Sequence, residues 1–187
     1  PAQYLKYANE RLRPALDLLA RLPIEAPQTV VDLGCGTGNV ARILAARWPQ
    51  ARIIGVDNST AMLAVAKAST AGGAQQQWFH ADLADWVPED PVAVVFSNAA
   101  LHWHDDHATR FPRIFGWVAP GGLLAIQMPD QYAAPSHVAL AAVVSSARWR
   151  DRLGSLLRRA PVAPAASYFR LLAAEGAVVD AWTTEYL

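Results

Sequence analysis

Val30-Val31-Asp32-Leu33-Gly34-Cys35-Gly36-Thr37-Gly38-Asn39-Val40 decides the fold. Two β-branched apolar residues lead into an acid, three glycines alternate with small residues, and a helical pattern opens at once. That order predicts a buried strand, a tight loop and a helix N-terminus, the unit on which α/β proteins build nucleotide-type pockets. Glycine serves such a loop by reaching φ > 0 and by letting a ligand lie directly on the backbone. Dinucleotide folds prefer G-x-G-x-x-G, where the helix N-terminus meets a pyrophosphate. Here the run is Gly34-x-Gly36-x-Gly38, with Asp32 two residues ahead of it. An acid at that place repels a pyrophosphate and suits a ligand carrying an ammonium group and a sulfonium.

Around this stretch the chain has 187 residues, enough for one α/β domain with a proper core. Lys+Arg and Asp+Glu are both 16, so the net charge of zero leaves no footprint for nucleic acid or an anionic membrane. Cys35 is the only cysteine, which excludes a disulfide framework and a cysteine metal site and points to a reducing cytoplasm. No apolar run approaches membrane-spanning length, and no signal-peptide pattern opens the chain. Both ends, Pro1 and a Leu187 that reads as mid-strand, are expected to be trimmed.

Taken in order, residues 4–21 predict a helix with Leu5, Ala8, Leu12, Ala15, Leu16 and Leu19 as its apolar stripe, bent or restarted near Pro14. Pro23 and Pro27 mark a linker. Strands are expected at 29–33, 51–56, 76–80, 92–97 and 123–128, with helices at 38–47, 60–69 and, weakly, 106–118. Pro120-Gly121-Gly122 reads as a turn before the fifth strand. The alternation implies a doubly wound, mostly parallel sheet. Beyond Met128 come a loop, an arginine-bearing helical segment over 137–157, a helix at 168–175 and a sixth strand at 178–187. The expected organisation is one domain: an N-terminal helix and linker (1–28), a cofactor-binding core (29–128), a helical substrate-side insertion (129–164), and a helix with the sixth strand (165–187).

Five landmarks then fall along one sheet edge: the glycine loop, Asp57, Asp82-Leu83, Asn98 through Trp103, and Pro120-Gly121-Gly122. With them the chain resembles the class I S-adenosylmethionine-dependent methyltransferases, a Rossmann-like fold, over nearly its whole length. That fold closes with an antiparallel seventh strand, which is expected to be missing here because nothing follows Leu187. Glu10-Arg11-Leu12-Arg13-Pro14-Ala15, Asn98-Ala99-Ala100-Leu101-His102-Trp103, and Gln127-Met128-Pro129-Asp130 with Pro135-Ser136-His137 resemble the trans-aconitate methyltransferase family. Tyr168, Glu175-Gly176 and Val179-Asp180-Ala181-Trp182 continue the likeness.

The resemblance implies methyl transfer from S-adenosylmethionine to one carboxylate of trans-aconitate, leaving S-adenosylhomocysteine. It implies that Asp32, Gly34, Gly36 and Gly38 hold the methionyl part and that Asp57 takes the ribose hydroxyls. Asn58 and Met62 would lie beside the adenine, Asp82 would accept from its amino group, Leu83 would pack on the ring, and Asn98 would border the sulfonium. A carboxylate acceptor is already ionised at pH 7, so positioning is the main demand and no general base is required. A polycarboxylate does need cations for the carboxylates that do not react. Arg11, Arg13, His102, His137, Arg148 and Arg150 are the candidates, with Tyr7 and Trp103 as aromatic ones. Each has a plainer reading: the arginines as solvated faces, His137 as a helix cap, Met62 as core, Tyr7 and Trp103 as ordinary packing.

Methyl transfer to another small molecule is the first alternative, and three other classes of function stay in view. His102-Trp103-His104-Asp105-Asp106-His107 matches H-x-H-x-D-H, the zinc-binding pattern of metallo-β-lactamase-like hydrolases, through His102, His104, Asp106 and His107. That family needs a further histidine well downstream, and His137 comes too soon. No metal site is therefore expected. A nicotinamide-dependent oxidoreductase shares the strand–glycine–helix unit, but the spacing and Asp32 weigh against it. A non-catalytic cofactor-binding module is the third of those classes. The expected enzyme is cytoplasmic, a monomer or homodimer, acting on a small polycarboxylate.

Overall fold

Val92 to Phe96, a run without a single polar residue, is expected to be buried on both faces, and it forms an inner strand of a parallel sheet, paired on both sides. The computed structural model describes residues 8–69, 75–157 and 162–186. These fall into two compact units: everything up to Leu101 together with Asp106–Gln127, and His102–Asp105 together with the residues from Met128 onward.

The first unit holds β1 (Thr29–Leu33), β2 (Arg52–Asp57), β3 (Gln76–His80), β4 (Val92–Asn98) and β5 (Val118–Gln127). Their spatial order is β3-β2-β1-β4-β5 and every pair is parallel. The order reverses between β1 and β4, so the crevice beyond their carboxyl ends is where such a sheet takes its ligand. Helices α1 (Ala8–Ala20), α2 (Asn39–Arg47), α3 (Thr60–Ala68) and α4 (His107–Phe115) belong to this unit. α1 buries Ala15, Leu18 and Leu19, while Leu16, expected in its stripe, is 45% exposed. Arg47 at the end of α2 closes α1 by donating to the carbonyls of Leu19 and Leu22 at 3.0 and 3.1 Å, and Trp48 Nε1 donates to Ile24.

Register decides which residues share a face. Asp32 pairs with Gly55 and Phe96, Gly55 with Trp78, Phe96 with Ala125, and Asn98 with Gln127. With side chains alternating along each strand, Asp32, Asn98 and Gln127 project from the same face at its carboxyl edge. Trp78 shares that face and uses the space two glycines leave. A Cβ on Gly55 would meet its ring at 2.4 Å, and one on Gly38 at 2.7 Å.

Three expectations need correction. β5 does not start after the Pro120-Gly121-Gly122 turn; it runs through it. Gly121 has φ +78° and the β4–β5 register shifts between Val92 and Val94, so the glycines make an irregularity inside the strand. The helical stretch over 137–157 is two helices, α5 (Pro135–Ser145) and α6 (Arg150–Leu153), followed by a 3-10 turn at Gly154–Leu156. Ser146 breaks it by turning extended and donating its hydroxyl to the Val143 carbonyl at 2.6 Å. No sixth strand forms over residues 178–186; the chain there is irregular and Val178 is fully exposed. β-branched composition makes a strand only when another edge takes its backbone groups. The last helix, α7 (Ala165–Ala174), starts directly after Pro164. Residues 4–7 of the first predicted helix lie outside the described residues.

Candidate active site

The glycine loop is shaped by its own protein. Gly34 and Cys35 both donate N–H to the Val56 carbonyl, at 2.8 and 3.1 Å, and Gly38 donates to Cys35 at 2.9 Å. Gly36 N–H goes to Asp57 Oδ2 at 2.8 Å. A phosphate-binding loop turns such groups towards its ligand. This one spends the N–H groups of Gly34, Cys35, Gly36 and Gly38 inward. All three glycines have positive φ, at 75°, 54° and 74°. Their surroundings differ. A Cβ on Gly34 would sit 2.2 Å from Ala100 Cβ, whereas one on Gly36 meets nothing within 4 Å. Gly36 therefore marks the open side, a cradle that a side chain would fill.

Below the loop, Asp32 is buried, and its Oδ2 has no hydrogen-bond partner. Burial, reinforced by the charge of Asp57 and opposed by the Ala41 N–H, pushes its pKa up to about 7. Asn98 Oδ1 and Gln127 Oε1, on the same face of neighbouring strands, are likewise buried without a donor. Three orphaned acceptors at one rim call for a ligand rich in donors or positive charge. Gln127 was not among the expected site residues, since an amide ending an apolar strand carries no periodic signal; its register opposite Asn98 is what exposes it. Cys35 lies beside them, its thiol pushed far up by burial and then by Asp32 and Asp57, which makes it an inert packing residue.

At the end of β2, Asp57 accepts from Gly36 N–H through Oδ2 and from Ser59 N–H through Oδ1, each at 2.8 Å. Ser59 caps α3 by accepting from the N–H of Met62, itself half-buried. Asn58 is exposed, and His80 Nε2 lies 3.0 Å from its carbonyl. After β3, Asp82 is exposed and its Oδ1 accepts from Ala84 N–H at 2.8 Å, while Leu83 is buried near Gly34. The ten expected cofactor residues thus all belong to the unit that carries the sheet, nine on loops and strand ends at its carboxyl edge and Met62 in the first turn of α3.

A profile described as "Methyltransferase domain" matches residues 30–122. The chain is 46% identical to a trans-aconitate 2-methyltransferase of Methylobacterium radiotolerans, an alignment covering all of this chain and 72% of that protein. This chain belongs to the trans-aconitate 2-methyltransferase family. Among solved structures, the methyltransferase family is represented by an S-adenosylmethionine dependent methyltransferase from Mesorhizobium loti, 32% identical with a TM-score of 0.54 over 63% of this chain and 52% of that one. The DhpI–SAH complex is 28% identical with a TM-score of 0.53, over 66% and 58%. The chain spans just over half the length of each of those two solved chains.

The residues that would set a family member's acceptor divide between the two units. Tyr7 and the side chain of Arg11 lie outside the described residues, and Arg13 is exposed on α1. In the second unit, His102 is buried with its ring 4.8 Å from that of Trp103, which is 65% exposed. The His137 ring lies 5.8 Å from that of Tyr132, tilted by 54°, Arg148 lies over the Trp149 ring at 5.1 Å, and Arg150 donates twice to the Ser145 carbonyl, ending α5. Two members of the zinc pattern have partners in the fold. His107 Nε2 lies 2.9 Å from the Leu101 carbonyl, and both oxygens of Asp106 are held by Arg110. Among the described residues no group of three or more His, Cys, Asp or Glu is arranged to hold a metal ion. No helix there is long and apolar enough to cross a membrane.

Gly36→Ala separates the loop's two duties. With no protein atom in the way, the substitution should cost only about 1 kcal/mol for the positive φ. Its methyl group should nonetheless weaken S-adenosylhomocysteine binding by about tenfold or more, read by calorimetry beside a urea titration of the free protein.

Proposed function

We propose that this chain is the catalytic domain of an S-adenosylmethionine-dependent methyltransferase that esterifies one carboxylate of trans-aconitate. The observation that carries the cofactor is the loop whose N–H groups turn inward over the buried, unpartnered Asp32 oxygen. Such a site repels a pyrophosphate and welcomes an ammonium and a sulfonium. When bound, the cofactor supplies a methyl group already activated on a cationic sulfur. Asp32 with Gly34, Gly36 and Gly38 holds the methionyl part, and Asp57, fixed by two N–H donors, takes the ribose hydroxyls. Asn58 and Met62 flank the adenine, Asp82 accepts from its amino group, Leu83 packs on the ring, and Asn98 borders the sulfonium. Gln127, paired beside Asn98, joins that rim.

An acceptor carboxylate with a pKa of about 4 is ionised at neutral pH, so the protein has no proton to remove. Its work is to align and to neutralise the carboxylates that do not react, for which Tyr7, Arg11, Arg13, His102, Trp103, His137 and Arg148 are the candidates. Support for trans-aconitate as acceptor comes from the likeness to the curated relative. The reading includes a cytoplasmic enzyme, monomer or homodimer, without nucleic-acid or membrane partners. The test is radiolabelled methyl transfer across a panel of small polycarboxylic acids, with S-adenosylhomocysteine and NAD titrated alongside. Preferred transfer to trans-aconitate and binding of S-adenosylhomocysteine alone are expected. Binding of NAD in its place would overturn the cofactor, and equal transfer to every acid would overturn the acceptor.

A further inference from the structure

Arg110, on α4, is only 7% exposed, a costly place for a guanidinium unless its donors are paired. They are. Nε and Nη2 each donate at 2.9 Å to the two oxygens of Asp106, a bidentate pair. Nη1 donates at 3.1 Å to the carbonyl of Leu83, on the loop after β3. The other end of that same peptide unit, Ala84 N–H, donates to Asp82 Oδ1 at 2.8 Å. One turn further along α4, Arg113 donates to the next carbonyl, that of Ala84. An unbroken line therefore runs from the Asp106 carboxylate through the Arg110 guanidinium and the Leu83–Ala84 peptide to the Asp82 carboxylate.

A cation on a peptide oxygen polarises the N–H at its far end, and a line of bonds strengthens each member. Two arginines on consecutive carbonyls also leave that stretch of loop little freedom to rotate. We propose that Arg110 is a positioning residue for adenine recognition, acting through the Leu83–Ala84 peptide to hold the Asp82 carboxylate where it receives the exocyclic amino group. This rests on the reading of Asp82 as the adenine contact.

The test compares S-adenosylhomocysteine with S-inosylhomocysteine, whose base carries an oxo group in place of the amino group, by calorimetry on the full chain. The wild type should prefer the adenosyl ligand by about tenfold, one charge-assisted hydrogen bond. Asp82→Ala should abolish the preference. Arg110→Met should cut it about fivefold while binding of the inosyl ligand stays within about twofold. In the Asp82→Ala background, Arg110→Met should change the ratio no further, because both act on one contact. Equal weakening of both ligands by Arg110→Met, or full additivity with Asp82→Ala, overturns the proposal, since either marks general loosening of the loop. If Arg110→Met does not fold, Arg110→Lys and Asp106→Asn replace it: a partial loss of the ratio supports the proposal and an unchanged ratio in both overturns it. Should Asp82→Ala itself keep the wild-type ratio, the adenine reading falls and this role of Arg110 with it. That outcome differs from a failure of Arg110 alone, in which Asp82→Ala loses the ratio and the Arg110 variants keep it.

Discussion

Gly34→Ala should leave little folded protein. Its Cβ would lie 2.2 Å from Ala100 Cβ and 3.6 Å from Ala100 Cα, and both residues sit on loops held at strand ends. A methyl group cannot rotate out of the way, so the backbone after β1 or β4 has to move. The positive φ of 75° adds about 1 kcal/mol of its own. Together these should exceed about 4 kcal/mol, a large part of the 5–15 kcal/mol that holds an ordinary domain together. Ala100→Gly in the same chain should remove the collision and leave about 1 kcal/mol of backbone strain. A urea titration of wild type, single and double variants measures this directly. A Gly34→Ala protein with the wild-type midpoint would mean that the two loops do not meet at this point.

Asp32→Asn should move stability and binding in opposite directions. The carboxyl rises from its ordinary 3.8 to about 7 on folding, because burial and then Asp57 disfavour its charge. Between those values the folded chain holds a proton that the unfolded chain has released, so stability falls as pH rises through this window and levels off above pH 7. Below about pH 4 the penalty is absent. Asparagine carries no such charge. The variant's advantage without ligand should therefore grow by about 3 kcal/mol between pH 5 and pH 8, seen as diverging melting temperatures. Binding runs the other way, since an ammonium needs the ionised carboxylate. Wild-type affinity for S-adenosylhomocysteine should climb towards pH 7, about tenfold per unit, and then flatten, with a proton released on binding. In Asp32→Asn that slope should vanish and affinity at pH 8 should drop by about a hundredfold. A pH-independent wild type would place the ammonium elsewhere.

The strand ends were legible because chemistry-bearing residues interrupt apolar runs there. Asp57 and Asn98 close their strands and Asp32 stands one residue from the end of its own, among mostly buried aliphatics, so both signals point to the same boundary. Where composition and pairing part company, the reading misses. Pro120-Gly121-Gly122 has every mark of a turn, yet β4 offers an edge that a shifted register can still use. Val178 and Val179 look like strand, and the described chain there forms none. Leu16 and Leu18 both fit a helical stripe within one residue, and only packing says that Leu18 is inside. Arg110 was invisible for another reason: its partner carbonyl lies 27 residues away and belongs to the backbone, which has no letter in a sequence. The acceptor candidates could not be sorted in the sequence because a charged residue on a helix face looks the same whether it is solvated or bound.

Adenine and ribose are common currency among metabolites, so a pocket that recognised only these would be crowded by nucleotides. The inward turn of the Gly34, Cys35, Gly36 and Gly38 N–H groups answers that problem at the level of the main chain. Any adenosine compound with a phosphate on its 5′ carbon would bring its charge towards Asp32 and Asp57 and find those four donors already engaged. The exclusion would not depend on a bulky side chain that drift could trim. It is written into hydrogen bonds the sheet itself needs, so the loop could not be made to welcome phosphate without first being unmade.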